Sequence, residues 1–229
     1  MANVQSIEGK SIDGSLHGAA LEPPATLSAC GREAGVFWAS KRLFDIVFGL
    51  VALPVVALVA IVVCAINPFA NPGPLFFVQT RMGLNGQPFR IVKFRTMLPA
   101  PAVCRGPEDP VEVDRITPFG AFLRRTRLDE TPQLFNVLKG EMSVIGPRPD
   151  IFEHAQSYLR TVPFYRRRCA VRPGITGFAQ VTSGYAEGSS GTVEKARRDA
   201  IYVRRACWRL ELEIVARTVV VMLTGNGAK

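Results

Sequence analysis

Two adjacent carboxylates, Asp129 and Glu130, follow a group of arginines and directly precede Thr131-Pro132. Proline is favoured at the first position of a helix, so we expect Thr131 to cap a helix over 133–138 that Gly140 ends. Carboxylates at a helix N-terminus often only complement the helix dipole and pair with nearby arginines. A carboxylate is also a ready nucleophile, because it is ionised at pH 7 and needs no general base.

Single arginines held in rigid turns favour the reactive interpretation of this pair. Arg148 lies in the Gly-Pro-Arg-Pro turn of 146–149, and Arg172 begins the Pro-Gly turn of 172–177. Prolines and glycines around one arginine fix the direction of its guanidinium, whereas a solvated arginine needs no such frame. With Arg124, these side chains could offset the repulsion between a diphosphate and a carboxylate nucleophile, a task that a metal ion shares.

The overall charge indicates an anionic partner. The chain has 229 residues, 28 of them Lys or Arg and 19 Asp or Glu, for a net charge of +9. Most of the basic residues are Arg, which suits bidentate recognition of phosphate or carboxylate. A phosphate ester, an anionic membrane surface and nucleic acid all fit this charge. The five cysteines are far apart, with no spacing typical of zinc or redox sites, so a reducing compartment is expected.

An uncharged apolar run over 46–66 predicts a membrane element. As a straight helix it would reach about 31 Å, enough for an ordinary span. Pro54 inside the run and basic residues on both flanks favour a Pro-kinked, re-entrant helix over 37–67, because the positive-inside rule then puts both ends in the cytoplasm. Residues 1–36 are rich in Gly, Ala and Ser and are expected to be a disordered tail.

The remaining chain, 68–229, is predicted to be mainly helical with one small β-hairpin. Asn85-Gly86 between two β-rich runs, 75–83 and 88–97, indicates a type I′ turn that places Arg81 opposite Arg90. The segment 99–110 is predicted to be a loop. The stretch 201–223 has one apolar face with a basic margin, which fits an interfacial helix on an anionic leaflet, and a core helix fits equally well.

These motifs together resemble the bacterial sugar transferase family, the small monotopic phosphoglycosyl transferases. The resemblance covers about residues 38–229 and is carried by the Asn-Gly hairpin and four ordered segments: 92–97, 128–143, 145–149 and 172–177. It implies a mainly α fold with a re-entrant membrane helix, interfacial helices and a small hairpin. It also implies a bacterial inner-membrane location on the cytoplasmic face, and a homodimer is one expected assembly.

The resemblance implies transfer of a sugar 1-phosphate from a nucleoside diphosphate sugar, expected to be a UDP-sugar, to polyprenol phosphate in exopolysaccharide or glycoconjugate assembly. Asp129 would be the nucleophile that forms a covalent phosphosugar intermediate, and Glu130 its partner. Both carboxylates would bind Mg²⁺. Substrate binding is expected from five basic side chains, Lys93, Arg95, Arg124, Arg148 and Arg172.

Two positions depart from the family pattern. Many members have an Asn-Gly-Arg segment where this chain has Thr182-Ser183-Gly184, and the residue before the membrane proline is often Ser but is Leu53 here. The donor sugar therefore cannot be taken from the family. Two other classes share the charge: a membrane-tethered nucleic-acid-binding protein and an inactive scaffold. Arginines placed around carboxylates and Pro-Gly turns argue against nucleic acid, and the intact Asp-Glu pair argues against a scaffold.

Overall fold

The computed structural model describes residues 31–99, 112–183 and 188–224. The order of the elements is α1 Gly31–Ala70, β1 Phe76–Met82, β2 Pro88–Phe94, α2 Pro118–Arg125, α3 Gln133–Lys139, β3 Ser143–Ile145, α4 Phe152–Thr161, α5 Tyr165–Arg168, β4 Gly174–Thr176, α6 Phe178–Ser183, α7 Gly188–Arg205 and α8 Trp208–Thr224. Short 3₁₀ turns occupy Leu84–Gly86, Val113–Arg115 and Leu128–Glu130. The predicted mainly α fold with a small hairpin and one long apolar helix is confirmed, and it is the architecture of a monotopic membrane protein.

The hairpin is present, but its predicted register is wrong by one residue. β1 and β2 pair in antiparallel fashion with Thr80 opposite Arg90 and Arg81 opposite Phe89. The chain needs five residues rather than two to turn, because Leu84–Gly86 forms a 3₁₀ turn in which Asn85 and Gly86 have positive φ. The two arginines therefore do not oppose each other, and the Arg81 guanidinium donates to Pro149 O instead.

The long helix α1 packs one face on the rest of the protein along most of its length. Residues of this face are buried from Lys41 to Val63, and Val63 joins a core cluster with Phe94 and Leu123. The opposite face exposes apolar side chains at helical spacing: Val47, Leu50, Val51, Val55, Leu58, Ile61 and Val62. An exposed apolar stripe of this length indicates contact with lipid.

Both halves of α1 are attached to the same domain by buried polar contacts. In its first half, Asp45 accepts hydrogen bonds from Ser143 Oγ at 3.0 Å and Val144 N at 2.9 Å. Just beyond its end, Asn71 Nδ2 donates to Arg95 O at 2.7 Å. A straight membrane crossing would carry the charged groups packed beside the middle of α1 into the hydrocarbon, at a cost of several kcal/mol each.

The predicted boundaries of α1 differ from the structure. The helix begins at Gly31, ahead of the expected start at residue 37, and it continues through Pro54 to Ala70. The re-entrant topology stays a prediction, as does the role of Pro54 in a helix break. Of the tail expected over 1–36, residues 31–36 are helical and residues 1–30 lie outside the described residues. Of the loop expected over 99–110, residues 100–110 also lie outside them.

The C-terminal stretch, predicted as one helix, is two. α7 ends at Arg205, and α8 begins at Trp208 after a short connection. α8 buries Glu211 and Ile214 against the domain while Leu212, Val219 and Leu223 are exposed. The two predicted alternatives were a core helix and an interfacial helix. One side of α8 belongs to the core, and the other side is an exposed apolar surface.

We expect both ends of α1 to be accessible from the same side of the membrane. Single cysteines replacing Val36 and Phe69, both exposed, in a background without native cysteines should react with a membrane-impermeant maleimide in inverted vesicles and not in intact spheroplasts. Labelling of the two sites from opposite sides would contradict the topology. Pro54→Ala should move residue 69 toward periplasmic labelling, because proline removes the hydrogen bond to Leu50 O and disfavours a straight crossing.

Candidate active site

A strained turn presents the two carboxylates. Arg127 has φ of 60°, in the left-handed region that non-glycine residues rarely adopt, and it reverses the chain between α2 and the 3₁₀ turn that holds Asp129 and Glu130. The chain then continues through Thr131 and Pro132 in helical conformation into α3. The expected short helix ending at Gly140 is confirmed, but the predicted Thr131 cap is wrong, because Pro132 occupies the N-cap position without a side-chain cap and Thr131 Oγ1 donates to Leu128 O. Asp129 and Glu130 lie in the preceding turn.

Glu130 is fixed by two cations. Its Oε1 accepts from Lys93 Nζ at 2.9 Å, and Arg148 donates from both terminal nitrogens, with Nη1 3.1 Å from Oε2. Burial alone would raise the pKa of Glu130, but Arg148 and Lys93 outweigh it and hold that pKa well below its usual range. Glu130 is therefore ionised and a weak base.

The pKa of Asp129 is shifted in the opposite direction to that of Glu130. Its carboxylate is buried, and no hydrogen bond to it is found among the described residues. Burial and the adjacent Glu130 charge raise its pKa to about 6, while Lys93, Arg148 and Arg124 oppose that rise. Its charge is mostly present at pH 7, and none of the residues that the structure describes neutralises it through a direct hydrogen bond, which is what a carboxylate nucleophile requires.

The other predicted binding residues divide into two groups. Arg124 lies near Asp129 and donates through Nε to Thr96 Oγ1 at 2.9 Å. Arg95 is buried and donates to the carbonyl oxygens of Asn71, Pro74 and Met97, so that it fixes the end of α1. Arg172 donates to Gly140 O at 2.8 Å, at the far end of α3 from the carboxylates. Only Lys93, Arg124 and Arg148 are brought to the Asp-Glu pair.

A second ionic cluster, which the sequence analysis did not predict, contacts the backbone of Arg148. Arg168 is buried, donates to Arg148 O, and forms ion pairs with Asp150 and, at 3.0 Å, with Asp199. Asp150 also accepts from Lys195 and from Tyr165 Oη. These residues carry no motif and come from separate elements, so no local pattern in the sequence indicates the cluster as a whole.

A cavity of about 450 Å³ reaches the site from the side of α1 and α8. Glu130 and Arg148 lie in its wall, together with Lys195 and Asp199 of the second cluster. Asp129, Lys93 and Arg124 are not among the wall residues. The cavity therefore ends at the partner carboxylate, one residue from the expected nucleophile.

The described residues do not form a protein cage for a metal ion: no group of three His, Cys, Asp or Glu side chains is close enough to hold one. Both Glu130 oxygens are engaged by cations that would repel a metal. Asp129 offers one carboxylate. This fits Mg²⁺ only in the mode where the ion keeps water and binds mainly to substrate phosphates.

Comparison with known proteins places the chain among membrane sugar transferases. The family model for bacterial sugar transferases matches residues 36–225. The chain is 39% identical over 190 residues to a UDP-N-acetylgalactosamine-undecaprenyl-phosphate N-acetylgalactosaminephosphotransferase from Aeromonas hydrophila, covering 82% of this chain and 45% of that protein. It is 40% identical over 200 residues to a UDP-glucose:undecaprenyl-phosphate glucose-1-phosphate transferase from Caulobacter vibrioides, covering 82% and 71%.

A third relative has a length similar to that of the matched region. The exopolysaccharide production protein PSS from Rhizobium leguminosarum bv. phaseoli is 40% identical over 196 residues, which cover 82% of this chain and 97% of that protein. In contrast, the chain spans less than half the length of the Aeromonas relative.

The contrast between the two carboxylates gives a pH prediction. In metal-free buffer, ¹³C NMR of Asp side chains should show one carboxyl titrating near pH 6, and Asp129→Asn should remove it. Glu130→Gln should lower this pKa, because it removes a negative neighbour and leaves Lys93 and Arg148 uncompensated beside Asp129. A midpoint that is unchanged or higher in Glu130→Gln would contradict this electrostatic description.

Proposed function

Because the chain belongs to the bacterial sugar transferase family, we propose that it transfers a sugar 1-phosphate from a UDP-sugar to polyprenol phosphate and releases UMP. The names of the two relatives give this reaction for UDP-N-acetylgalactosamine and UDP-glucose with undecaprenyl phosphate. We place the reaction at the cytoplasmic face of the bacterial inner membrane, where α1 contacts anionic phospholipid. A homodimer stays a prediction.

The observation that carries the proposal is the unequal state of the two carboxylates. Glu130 is neutralised by Lys93 and Arg148, whereas Asp129 has no hydrogen-bonded partner among the described residues and a pKa raised to about 6. A raised pKa accompanies greater basicity and hence nucleophilicity. The geometry therefore supports Asp129 as the attacking group and Glu130 as the group that holds the cations in place.

The reaction follows in two displacements. An Asp129 oxygen attacks the phosphorus that bears the sugar, the bond from that phosphorus to the bridging oxygen breaks, and UMP leaves with the electron pair. An oxygen of polyprenol phosphate then attacks the same phosphorus and displaces the Asp129 carboxylate, which gives polyprenyl diphosphate sugar. Lys93, Arg124 and Arg148 stabilise the charge that develops on the phosphoryl oxygens.

Mg²⁺ is part of the proposal as a companion of the donor. Bound by the diphosphate and by one Asp129 oxygen, it would neutralise phosphate charge. Glu130, the other expected ligand, is better assigned to the cations that surround it.

The alternatives fit the geometry less well. A nucleic-acid-binding protein needs basic side chains on an exposed surface with stacking aromatics. Here Lys93 and Arg148 face an internal carboxylate, and Arg168 is buried within an ionic cluster. A scaffold would have no need of this arrangement around an intact Asp-Glu pair.

We expect Asp129, and not Glu130, to become covalently phosphorylated. Incubation with Mg²⁺ and a panel of UDP-sugars labelled in the sugar, without lipid, should leave a hydroxylamine-sensitive label on the protein and release UMP. Asp129→Asn should abolish the label because an amide is a poor nucleophile, and Glu130→Gln should still form it slowly. Labelled product that forms only when lipid is present, with ternary-complex kinetics, would contradict the covalent route.

We also expect the shape of Arg148 to matter. Arg148→Lys keeps the charge but cannot donate to both Glu130 oxygens, so transfer should fall by about 2 kcal/mol of transition-state stabilisation, about thirtyfold in kcat/KM. The matched control is Arg198→Lys, since Arg198 only pairs with Glu194 one turn away on α7 and should be close to neutral. Equal losses at the two positions would show that charge alone is important.

A further inference from the structure

The cavity beside the carboxylates is lined by two kinds of side chain. Five are charged, three cations and two anions: Arg127, Arg148, Lys195, Glu130 and Asp199. The apolar lining includes side chains from two helices: Phe48, Ala52 and Val55 of α1, and Val221 and Met222 of α8. A compact anionic group joined to an apolar chain suits both parts of this lining, because the cations exceed the anions by one.

The two helices that form the apolar wall meet at one ion pair. Lys41 of α1 pairs with Glu211 in the first turn of α8, at 2.5 Å, and both side chains are buried. About three turns further along both helices, Ala52 and Met222 line the same cavity. Both helices therefore lead away from the ion pair in the same direction, and the cavity lies in the cleft between them.

The outer surfaces of both helices are apolar and exposed beside the cleft. Val51, next to Ala52, is 73% exposed, and Leu223, next to Met222, is 82% exposed. Because an exposed apolar surface on the membrane helix faces lipid, the cleft adjoins the hydrocarbon region. An apolar chain can pass from the cleft into the bilayer without crossing water.

We propose that this cleft between α1 and α8 binds the acceptor, with the acceptor phosphate at Arg148 and Lys195 and the first isoprene units between Ala52 and Met222. The inference rests on the proposed function for the identity of the acceptor. A nucleotide sugar has no flexible apolar chain that could lie along the apolar lining and continue into the bilayer. The donor therefore approaches Asp129 from the side of Lys93 and Arg124, which are not in the cavity wall.

The size of the cavity limits how much of the acceptor it holds. At the volume that water occupies in the liquid, about 30 Å³ per molecule, 450 Å³ corresponds to a phosphate with roughly two isoprene units. The remainder of a long polyprenol would lie in the bilayer. A short acceptor such as geranyl phosphate is therefore expected to be long enough to contact the residues of the cleft.

Neighbouring residues provide matched variants for a kinetic test. Ala52→Trp and Met222→Trp each place a large side chain in the cleft, whereas Val51→Trp and Leu223→Trp place the same side chain on the exposed face of the same helix. With geranyl phosphate, the first pair should raise the acceptor KM by about tenfold, and the second pair by about twofold or less. The KM for the UDP-sugar should change little in all four.

A binding measurement separates this inference from the proposed function. A benzophenone-bearing geranyl phosphate, photolysed with the wild-type protein in detergent, should label peptides that contain residues 48–56 and 218–223. Labelling elsewhere, or equal acceptor KM values for Ala52→Trp and Val51→Trp, would overturn the cleft. Failure of the wild-type protein to transfer sugar phosphate from any UDP-sugar would instead overturn the proposed function, since photolabelling needs no catalysis.

Discussion

The clamp of Lys93 and Arg148 on Glu130 is the interaction on which the site depends. It joins three segments that are distant in sequence: strand β2, the turn before α3, and the 146–149 turn. Removing one partner of such a buried group leaves an uncompensated charge, at a cost of about 3–5 kcal/mol. The clamp also determines the state of Asp129, because the cations that neutralise Glu130 lie close enough to limit the rise of the Asp129 pKa. One pair of cations thus keeps one carboxylate inert and its neighbour reactive.

The membrane helix is part of this site rather than a separate anchor. Arg42 donates to the carbonyl oxygens of Val137 and Leu138 at the end of α3, so the helix that follows the carboxylates is attached directly to α1. Gly49 permits this close approach, since a Cβ there would lie 2.5 Å from the Leu138 side chain. A change in the depth or direction of α1 in the membrane would therefore move α3 and the carboxylates with it.

The sequence predicted what local rules control and missed what depends on packing. The hairpin and the short helix ending at Gly140 followed from turn residues and from the helix-ending glycine, whereas the predicted Thr131 cap was wrong. The hairpin register did not, because a 3₁₀ turn and a two-residue turn share the Asn-Gly signal. Nor could charge alone separate Arg148, which reaches the carboxylates, from Arg95, whose donors are taken by backbone carbonyls. The Arg168 cluster was invisible because its members come from separate elements.

Charge balance explains why such a site would work with a donor that carries its own metal ion. Among the described residues, four cations and two anions interact electrostatically at the carboxylates: Arg81, Lys93, Arg124, Arg148, Asp129 and Glu130. Their net charge is about +2, which the two or so negative charges of a diphosphate would cancel in a partly buried region where Coulomb interactions are strong. A divalent ion held by the donor would leave the complex positive, which favours the charge that develops on the phosphoryl oxygens. In the proposed second displacement, the same cations would face a single phosphoryl group, which a second anionic phosphate can approach with less repulsion.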